Sequence, residues 1–462
     1  MATLNPTLFR EYDIRGRENK EELNSESVAL ITRAFGTLLK KRKITTVIVG
    51  HDNRNTSEAF YAVAVKSFRA CGLTVIGIGR CLTPMCYFAQ YQYKVKGSCM
   101  ITASHNPAGW NGFKLSDGYS KTLLTNDIQE IRRIAEKEDF SSGKGSFTKK
   151  DIEEAYIHDI TSRVRIGKKL KVLINTANAT SSFFSPKIFR KAGCEVVEHN
   201  TNPDPTFPNY IPNPANVEMM RDTGKQTVKH KADVGIGIDA DGDRLGITDE
   251  KGATVWPDRY MILLSRLILE KRPGAKIVFD VKVSEALPED IKAHGGVPIM
   301  WKTGHSYIKQ KMTDEKAALA GEQSGHIFFG EGFYGFDDAN FAALKLLEYI
   351  AKHKKPLSKL VAETPYYIST PAHHAHTDDT KKYAIVEQLT VAFRKEGHRI
   401  IDINGARVYL EDGWGLVRAS SNLPALVIRF EAKTQKGVEK IEKIFRKKLS
   451  KFPEVATKWD SA

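Results

Sequence analysis

Three times along this chain a short apolar run gives way to an amphipathic helix, and the pattern then begins again. Such alternation confines the fold to α/β layers with parallel or mixed sheets, because each apolar strand needs a helix to cover it. In the first unit a buried strand is expected over 43–49 and a helix over 57–70, with Thr56 and Ser57 as cap candidates. A strand over 73–78, the apolar run 98–101 and a charged helix over 127–137 complete it, and the polar segment 141–150 reads as a boundary. The second unit has strands expected over 170–174, 194–197 and 233–238, and helices over 186–192 and 219–230. The third follows Gly252-Ala253, with helices over 260–269 and 341–351 and strands over 276–279 and 317–320. Beyond about Pro371 the rhythm changes to strands over 407–410 and 425–430 and a basic helix over 438–448. At 462 residues the chain exceeds what one core organises. The expected division is three similar α/β domains with mixed sheets (1–150, 151–253, 254–367) and a C-terminal α+β domain (368–462).

Composition narrows the function classes. Hydrophobic content of 41% and charge of 27% are ordinary for a soluble globular protein. No apolar run has transmembrane length, and residues 1–10 lack a signal-peptide pattern, so a cytoplasmic protein with no membrane partner is expected. The five cysteines (Cys71, Cys81, Cys86, Cys99, Cys194) include no Cys-x-x-Cys pair, which points to buried free thiols. The formal charge of +15 raises nucleic acid as a partner, but the basic residues are spread along the chain. Clusters such as Lys40-Lys41-Arg42-Lys43 resemble solvated helix ends, and no nucleic-acid-binding motif is present. A basic surface that attracts small anionic substrates is the reading taken.

Four polar stretches carry chemistry. In Thr102-Ala103-Ser104-His105-Asn106-Pro107 an apolar run ends on a hydroxyl, an imidazole and an amide, and Lys114 follows ten residues after the serine. In Asp239-Ala240-Asp241-Gly242-Asp243-Arg244, three carboxylates leave an apolar strand at alternate positions, the pattern of an oxygen-ligand site for a divalent cation. An EF-hand is excluded, because Arg244 stands where that loop needs glycine and a strand precedes it where a helix is required. Three protein ligands leave open positions for phosphate oxygens, the usual magnesium arrangement. In Gly321-Glu322-Gln323-Ser324-Gly325-His326, Glu322 and Ser324 suit neighbouring sugar hydroxyls and His326 suits proton transfer. The aromatic run Phe328, Phe329, Phe333, Tyr334, Phe336 reads as core. In Arg418-Ala419-Ser420-Ser421-Asn422-Leu423, a guanidinium and short polar side chains make a phosphate cradle. Together they specify phosphoryl transfer on a phosphorylated sugar.

With these motifs in this order, the chain resembles the α-D-phosphohexomutase family, in particular its bacterial phosphomannomutase/phosphoglucomutase group. The resemblance runs from Phe9-Arg10-Glu11-Tyr12-Asp13-Ile14-Arg15-Gly16 to the Arg418 loop. It implies four domains around a central cleft, a phosphoserine at Ser104, and Mg2+ held by Asp239, Asp241, Asp243 and the serine's phosphate. It implies proton-transfer and charge-stabilising roles for Lys114, His326 and Arg15, with Arg244 supporting the metal loop. Substrate contacts would fall on Tyr12, His105, Lys282, His305, Glu322, Ser324, His326, Arg418, Ser420, Ser421 and Asn422. The implied reaction interconverts mannose 6-phosphate and mannose 1-phosphate, and the glucose pair, through a hexose 1,6-bisphosphate that also serves as activator.

The chain departs from the group's pattern in two places. The second domain opens with Asn175-Thr176-Ala177-Asn178-Ala179-Thr180 where Asp-x-Gly-Asn-Gly is usual; this loop is not expected to touch the chemistry, so the departure bears only on interdomain packing. The phosphate loop reads Ser420-Ser421-Asn422-Leu423 where Ser-Asn-Thr-Thr is common, which bears on the contacts of Ser421 and Asn422. The alternatives are a phosphoglucosamine mutase, a phosphopentomutase, a metal-dependent phosphatase and a catalytically silent phosphosugar-binding relative, and the expected assembly is a monomer or dimer.

Overall fold

A computed structural model of the chain describes residues 4–421 and 423–461. Asn422 of the expected phosphate loop lies outside the described residues. The chain forms two compact units: residues up to Pro257 with Ser324–Leu360, and Asp258–Gln323 with the chain from Val361 onward.

The first unit holds two mixed sheets. In the first, Thr46–His51 is the centre, with Thr74–Arg80 and Gly97–Ile101 parallel on either side. Trp110–Gly118 returns antiparallel along Gly97–Ile101, and Ile14–Arg17 closes that edge. This hairpin sets Lys114 opposite Met100, one turn of chain from Ser104. In the second sheet Val234–Ile238 lies parallel to Lys171–Asn175 and antiparallel to Leu245–Thr248. The carboxylate-rich stretch is therefore the tight connection between two adjacent strands.

In the second unit, Lys276–Asp280 is flanked in parallel by Val297–Trp301 and Leu319–Gly321. The C-terminal region is an antiparallel sheet built on Gly413–Ala419, Ala425–Ala432 and His373–His376. Its inward side chains, among them Val417, Leu426, Ile428 and Phe430, pack with Leu389 and Phe393 of the helix Lys382–Lys395 and Ile441 and Phe445 of Gln435–Leu449. No helix among the described residues is long and apolar enough to cross a membrane.

The helix expected over 57–70 is Ser57–Ala70, but the caps differ. Thr56 makes no cap; its hydroxyl donates to Glu18, and that of Ser57 donates to Asp52. The strand expected from 43 begins at Thr46, because Lys43 takes a left-handed φ of +59° to close the preceding helix Ser25–Lys41. The segment 141–150 is more than a connector: Phe147–Lys149 adds a parallel strand to Thr74–Arg80. All five cysteines are buried and free. Phe328, Phe329 and Phe336 are core, as expected, and Phe333 stacks on Phe341.

One buried acid has a measurable consequence. Asp338 caps the helix Ala339–His353 through Phe341 N and accepts the Tyr156 hydroxyl at 2.7 Å. Burial pushes its carboxyl up to about 7. The folded state thus binds a proton that the unfolded chain releases near an ordinary ~3.9, so this group's contribution to stability falls as pH rises from ~4 to about 7. Asp338→Asn keeps the cap oxygen and removes the titration. Its stability relative to wild type is expected to rise between pH 5 and 8, by up to roughly 3 kcal/mol, in parallel denaturant melts. An unchanged difference at the two pH values would refute this.

Candidate active site

Ser104 sits where the strand Gly97–Ile101 turns back, with φ of +52° and 1% exposure. Its amide donates to Thr102 Oγ1 at 2.8 Å. Its Oγ lies 3.2 Å from His105 Nδ1 and 3.3 Å from Asp239 Oδ2. A left-handed, non-glycine residue is strained, and the surrounding contacts hold it there. The largest of them is Arg54, a residue that motif reading passes over. Its guanidinium donates to the carbonyls of Ser104, Asn106, Pro107 and Trp110 at 2.6–3.0 Å, and its Nε lies 3.2 Å from Asp52. Arg15 adds bonds to the Ala103 carbonyl and Asn106 Oδ1, and is itself fixed by Asp13. Tyr12 is buried nearby in the chain.

Replacing Arg54 with methionine strands four carbonyls and Asp52. The expected cost is about 3–5 kcal/mol of stability, with a ~100-fold loss of turnover as the serine drifts from its place. Arg54→Lys restores charge without the fork and is expected to fall between. Melting curves and steady-state rates check this, and a methionine variant with wild-type turnover would contradict it.

The metal loop is built from Asp239. Its Oδ1 accepts the amides of Gly242, Asp243 and Arg244 at 3.0–3.1 Å, curling the chain so that Asp241 and Asp243 turn inward. Gly242 has φ of +81°, and a Cβ there would come within 3.0 Å of Leu82. Ser181 braces the loop through the Asp239 carbonyl at 2.7 Å, so the chain just after the unusual second-domain opening touches the carboxylate cluster, contrary to the expectation that it stays clear of it. The same opening also reaches Asn53 through Thr180. Thr83, at the N-terminus of the helix Thr83–Tyr93, gives its amide to the Asp241 carbonyl and its hydroxyl to Asp241 Oδ2 at 2.6 Å.

The three carboxylates are fully buried, with one oxygen of each within 4.8 Å of the others. Burial, then Asp241 and Asp243, hold the Asp239 carboxyl well above the usual range. At Asp241 burial is outweighed by Lys114, and the net shift is downward. Lys114 Nζ bonds Asp241 at 2.7 Å and also contacts Asp243. Burial disfavours its ammonium, but Asp241 and Asp243 reverse this and raise its pKa. Asp241 Oδ1 and Asp243 Oδ1 are buried and accept no hydrogen bond from any described residue. Those two oxygens suit a divalent cation, which takes oxygen ligands of this kind.

His326 is placed differently from a free proton shuttle. Arg244 Nε donates to its Nε2 at 3.0 Å, so the ring proton belongs on Nδ1, which lies 3.0 Å from Asp337 and 3.6 Å from Asp243. The imidazole is thereby held rigidly beside the metal loop. Burial, then Arg244 and Arg15, push the His105 imidazolium well below its ordinary range, which keeps a neutral ring beside the Ser104 hydroxyl. Ser324 is half-buried in this unit.

The second unit gathers the other expected residues. Glu322 is buried and accepts the Gly304 amide at 2.5 Å, tying its loop to Lys302-Thr303-Gly304-His305. Asp280, missed from the sequence, accepts Thr303 Oγ1 at 2.9 Å and the Gln323 amide at 3.3 Å, and lies 3.4 Å from Lys282 Nζ. His305 is buried at the start of the helix His305–Glu315. Arg418 is 5% exposed and bonds Ser421 Oγ at 3.2 Å, while Ser420 Oγ accepts the Leu423 amide. Lys382, also missed, fastens that loop through the carbonyls of Ser420 and Leu423.

A buried hydroxyl thus stands against a carboxylate of a cluster that could hold a metal ion, in a site that also holds Lys114, Arg15 and Arg244. The chain matches the phosphoglucomutase/phosphomannomutase domain models in succession: α/β/α domain I over residues 6–142, domain II over 154–252, domain III over 256–367 and the C-terminal domain over 375–448. It is 37% identical over 447 residues to the phosphomannomutase/phosphoglucomutase of Pseudomonas aeruginosa PAO1, covering 97% of this chain and 96% of that one. It is 36% identical to a phosphoglucomutase of Neisseria meningitidis serogroup A, covering 98% and 99%. A solved phosphoglucomutase/phosphomannomutase family protein from Burkholderia thailandensis superposes with a TM-score of 0.91 at 32% identity, over 97% of this chain and 98% of that chain. The class defined is that of the phosphohexomutases, enzymes that isomerise by intramolecular phosphoryl transfer. Within it, the chain belongs to the phosphoglucomutase/phosphomannomutase family.

Proposed function

We propose that this enzyme interconverts the 6- and 1-phosphates of mannose and of glucose in the cytoplasm, with Ser104 as the phosphoryl carrier. The carrying observation is the Ser104 hydroxyl at 3.3 Å from Asp239, with Arg54 holding the serine's loop and Lys114 holding the neighbouring carboxylates Asp241 and Asp243. Asp239, Asp241 and Asp243 would hold Mg2+, which when bound draws charge from the phosphoryl oxygens. Arg15 and Lys114 offset the remaining charge, and Arg244 with Asp337 fixes His326 for proton transfer at the sugar oxygen. Neutral His105 beside Ser104 accepts the hydroxyl proton when the serine takes up a phosphoryl group.

Arg418, Ser420, Ser421, Asn422, Lys282 and His305 bind the substrate's other phosphate, with Tyr12 near the phosphoserine. Glu322 and Ser324 hold two adjacent sugar hydroxyls. Phosphoryl transfer from Ser104 makes the hexose 1,6-bisphosphate. After the intermediate turns over, its other phosphate returns to Ser104, and added bisphosphate primes any enzyme that has lost its phosphate. The domains are assigned as 1–150, 151–253, 254–367 and 368–462.

The test is a coupled assay at fixed Mg2+ and trace hexose 1,6-bisphosphate, comparing mannose, glucose and glucosamine phosphates. Turnover of the first two, lost on chelation, supports the proposal. Turnover of glucosamine phosphate alone would reassign the substrate, and steady release of inorganic phosphate would mark a phosphatase.

A further inference from the structure

We propose that His374 is a further phosphate-binding residue of the C-terminal domain, contacting the same substrate phosphate as Arg418. This rests on reading the Arg418 loop as the phosphate cradle.

The sheet register carries the inference. Arg418 pairs with Val427, and Val427 pairs with His374 on the next strand. Directly paired residues share a face, so the two side chains stand on one side of the sheet with Val427 between them. The neighbouring Ala375 is fully buried in the domain core, which places His374 on the opposite face. Strand spacing sets Arg418 and His374 roughly 10 Å apart at their Cα atoms, a gap that two long side chains narrow to the width of one tetrahedral anion.

The surroundings call for an anion. Arg418 is 5% exposed, yet its Nε has no hydrogen-bond partner among the described residues. Lys282 lies beside this face, its carbonyl accepting from Arg429, two residues along from Val427, and its ammonium 3.4 Å from Asp280. Burial, followed by His376 and Lys282, pushes the His374 imidazolium down, and Asp460 offsets only part of this. Asp460 of the edge strand pairs with His374 in register, and its carboxylate lies 3.1 Å from His376 Nε2.

The experiment is calorimetric binding of glucose 6-phosphate to the wild-type enzyme and to His374→Ala, His374→Gln, His374→Lys and Arg418→Ala, with KM and kcat measured in parallel. His374→Ala and His374→Gln are expected to weaken binding and raise KM by about 10-fold while kcat stays within about 2-fold, and His374→Lys to recover most of the loss. Unchanged Kd and KM in both the alanine and glutamine variants, with Arg418→Ala still impaired, would overturn the role of His374 alone. If Arg418→Ala also binds normally, the cradle reading fails with it.

Discussion

Ser104→Ala is expected to abolish hexose-phosphate interconversion, by about 10⁴-fold or more, while leaving the fold and ground-state binding nearly untouched. The reasoning is geometric. The only atom removed is the Oγ, which lies 3.2 Å from His105 and 3.3 Å from Asp239 and makes no other hydrogen bond among the described residues. The loop itself is held by backbone groups, namely the Ser104 amide on Thr102 and the Ser104 carbonyl on Arg54, and both survive the substitution. Alanine tolerates φ of +52° about as poorly as serine, so the strain cancels between the two proteins. The stability change should stay within about 1 kcal/mol, the size of one lost hydrogen bond. Incubation with hexose 1,6-bisphosphate followed by intact-mass measurement separates carrier from bystander. The wild-type chain should exchange one phosphoryl group and the variant none. Turnover within tenfold of wild type would place the carrier elsewhere.

The parts of the site that were legible in the sequence are those in which local chain chemistry does the shaping. An apolar strand that stops at Ile101 just before Ser104, and a carboxylate loop that leaves a strand at Asp239, follow from local chain chemistry, and both stand as expected. The helix Thr83–Tyr93 was invisible because Thr83 through Gln90 are all buried, leaving no polar face to mark a helical period. The partners of the carboxylates were invisible for another reason. Lys114 meets Asp241 and Asp243 across 127 and 129 residues, and Arg54 meets the Ser104 carbonyl across 50. Buried cations that grip backbone carbonyls, such as Arg54 and Lys382, leave no motif at all, since the carbonyl is common to every residue. His326 is legible by its type but not by its setting. Its type suggests proton transfer, and tertiary contact adds that it is held between Arg244 and Asp337.

Lys114→Met should separate catalysis from electrostatic balance in one variant. Lys114 is the counter-ion of two fully buried aspartates, and methionine fills its volume without its charge. Turnover is expected to fall about 10²–10³-fold, because a preorganised positive charge beside the phosphoryl group is lost. Stability should move in a metal-dependent way. Without Mg2+ the variant leaves Asp241 and Asp243 facing each other unpaired, a cost of about 3–5 kcal/mol. Added Mg2+ replaces the missing charge, so the metal should raise the variant's melting temperature more than the wild type's. The same balance predicts tighter Mg2+ binding, since the charge of Asp241 and Asp243 is no longer offset by an ammonium at their Oδ2 atoms. Calorimetric Mg2+ titrations and melting curves with and without chelator read both effects. Equal metal-free melting temperatures together with an unchanged Mg2+ affinity would mean that the contact between Lys114 and the carboxylates does not balance their charge. Lower turnover with higher metal affinity is the pairing that a merely misfolded variant would not produce.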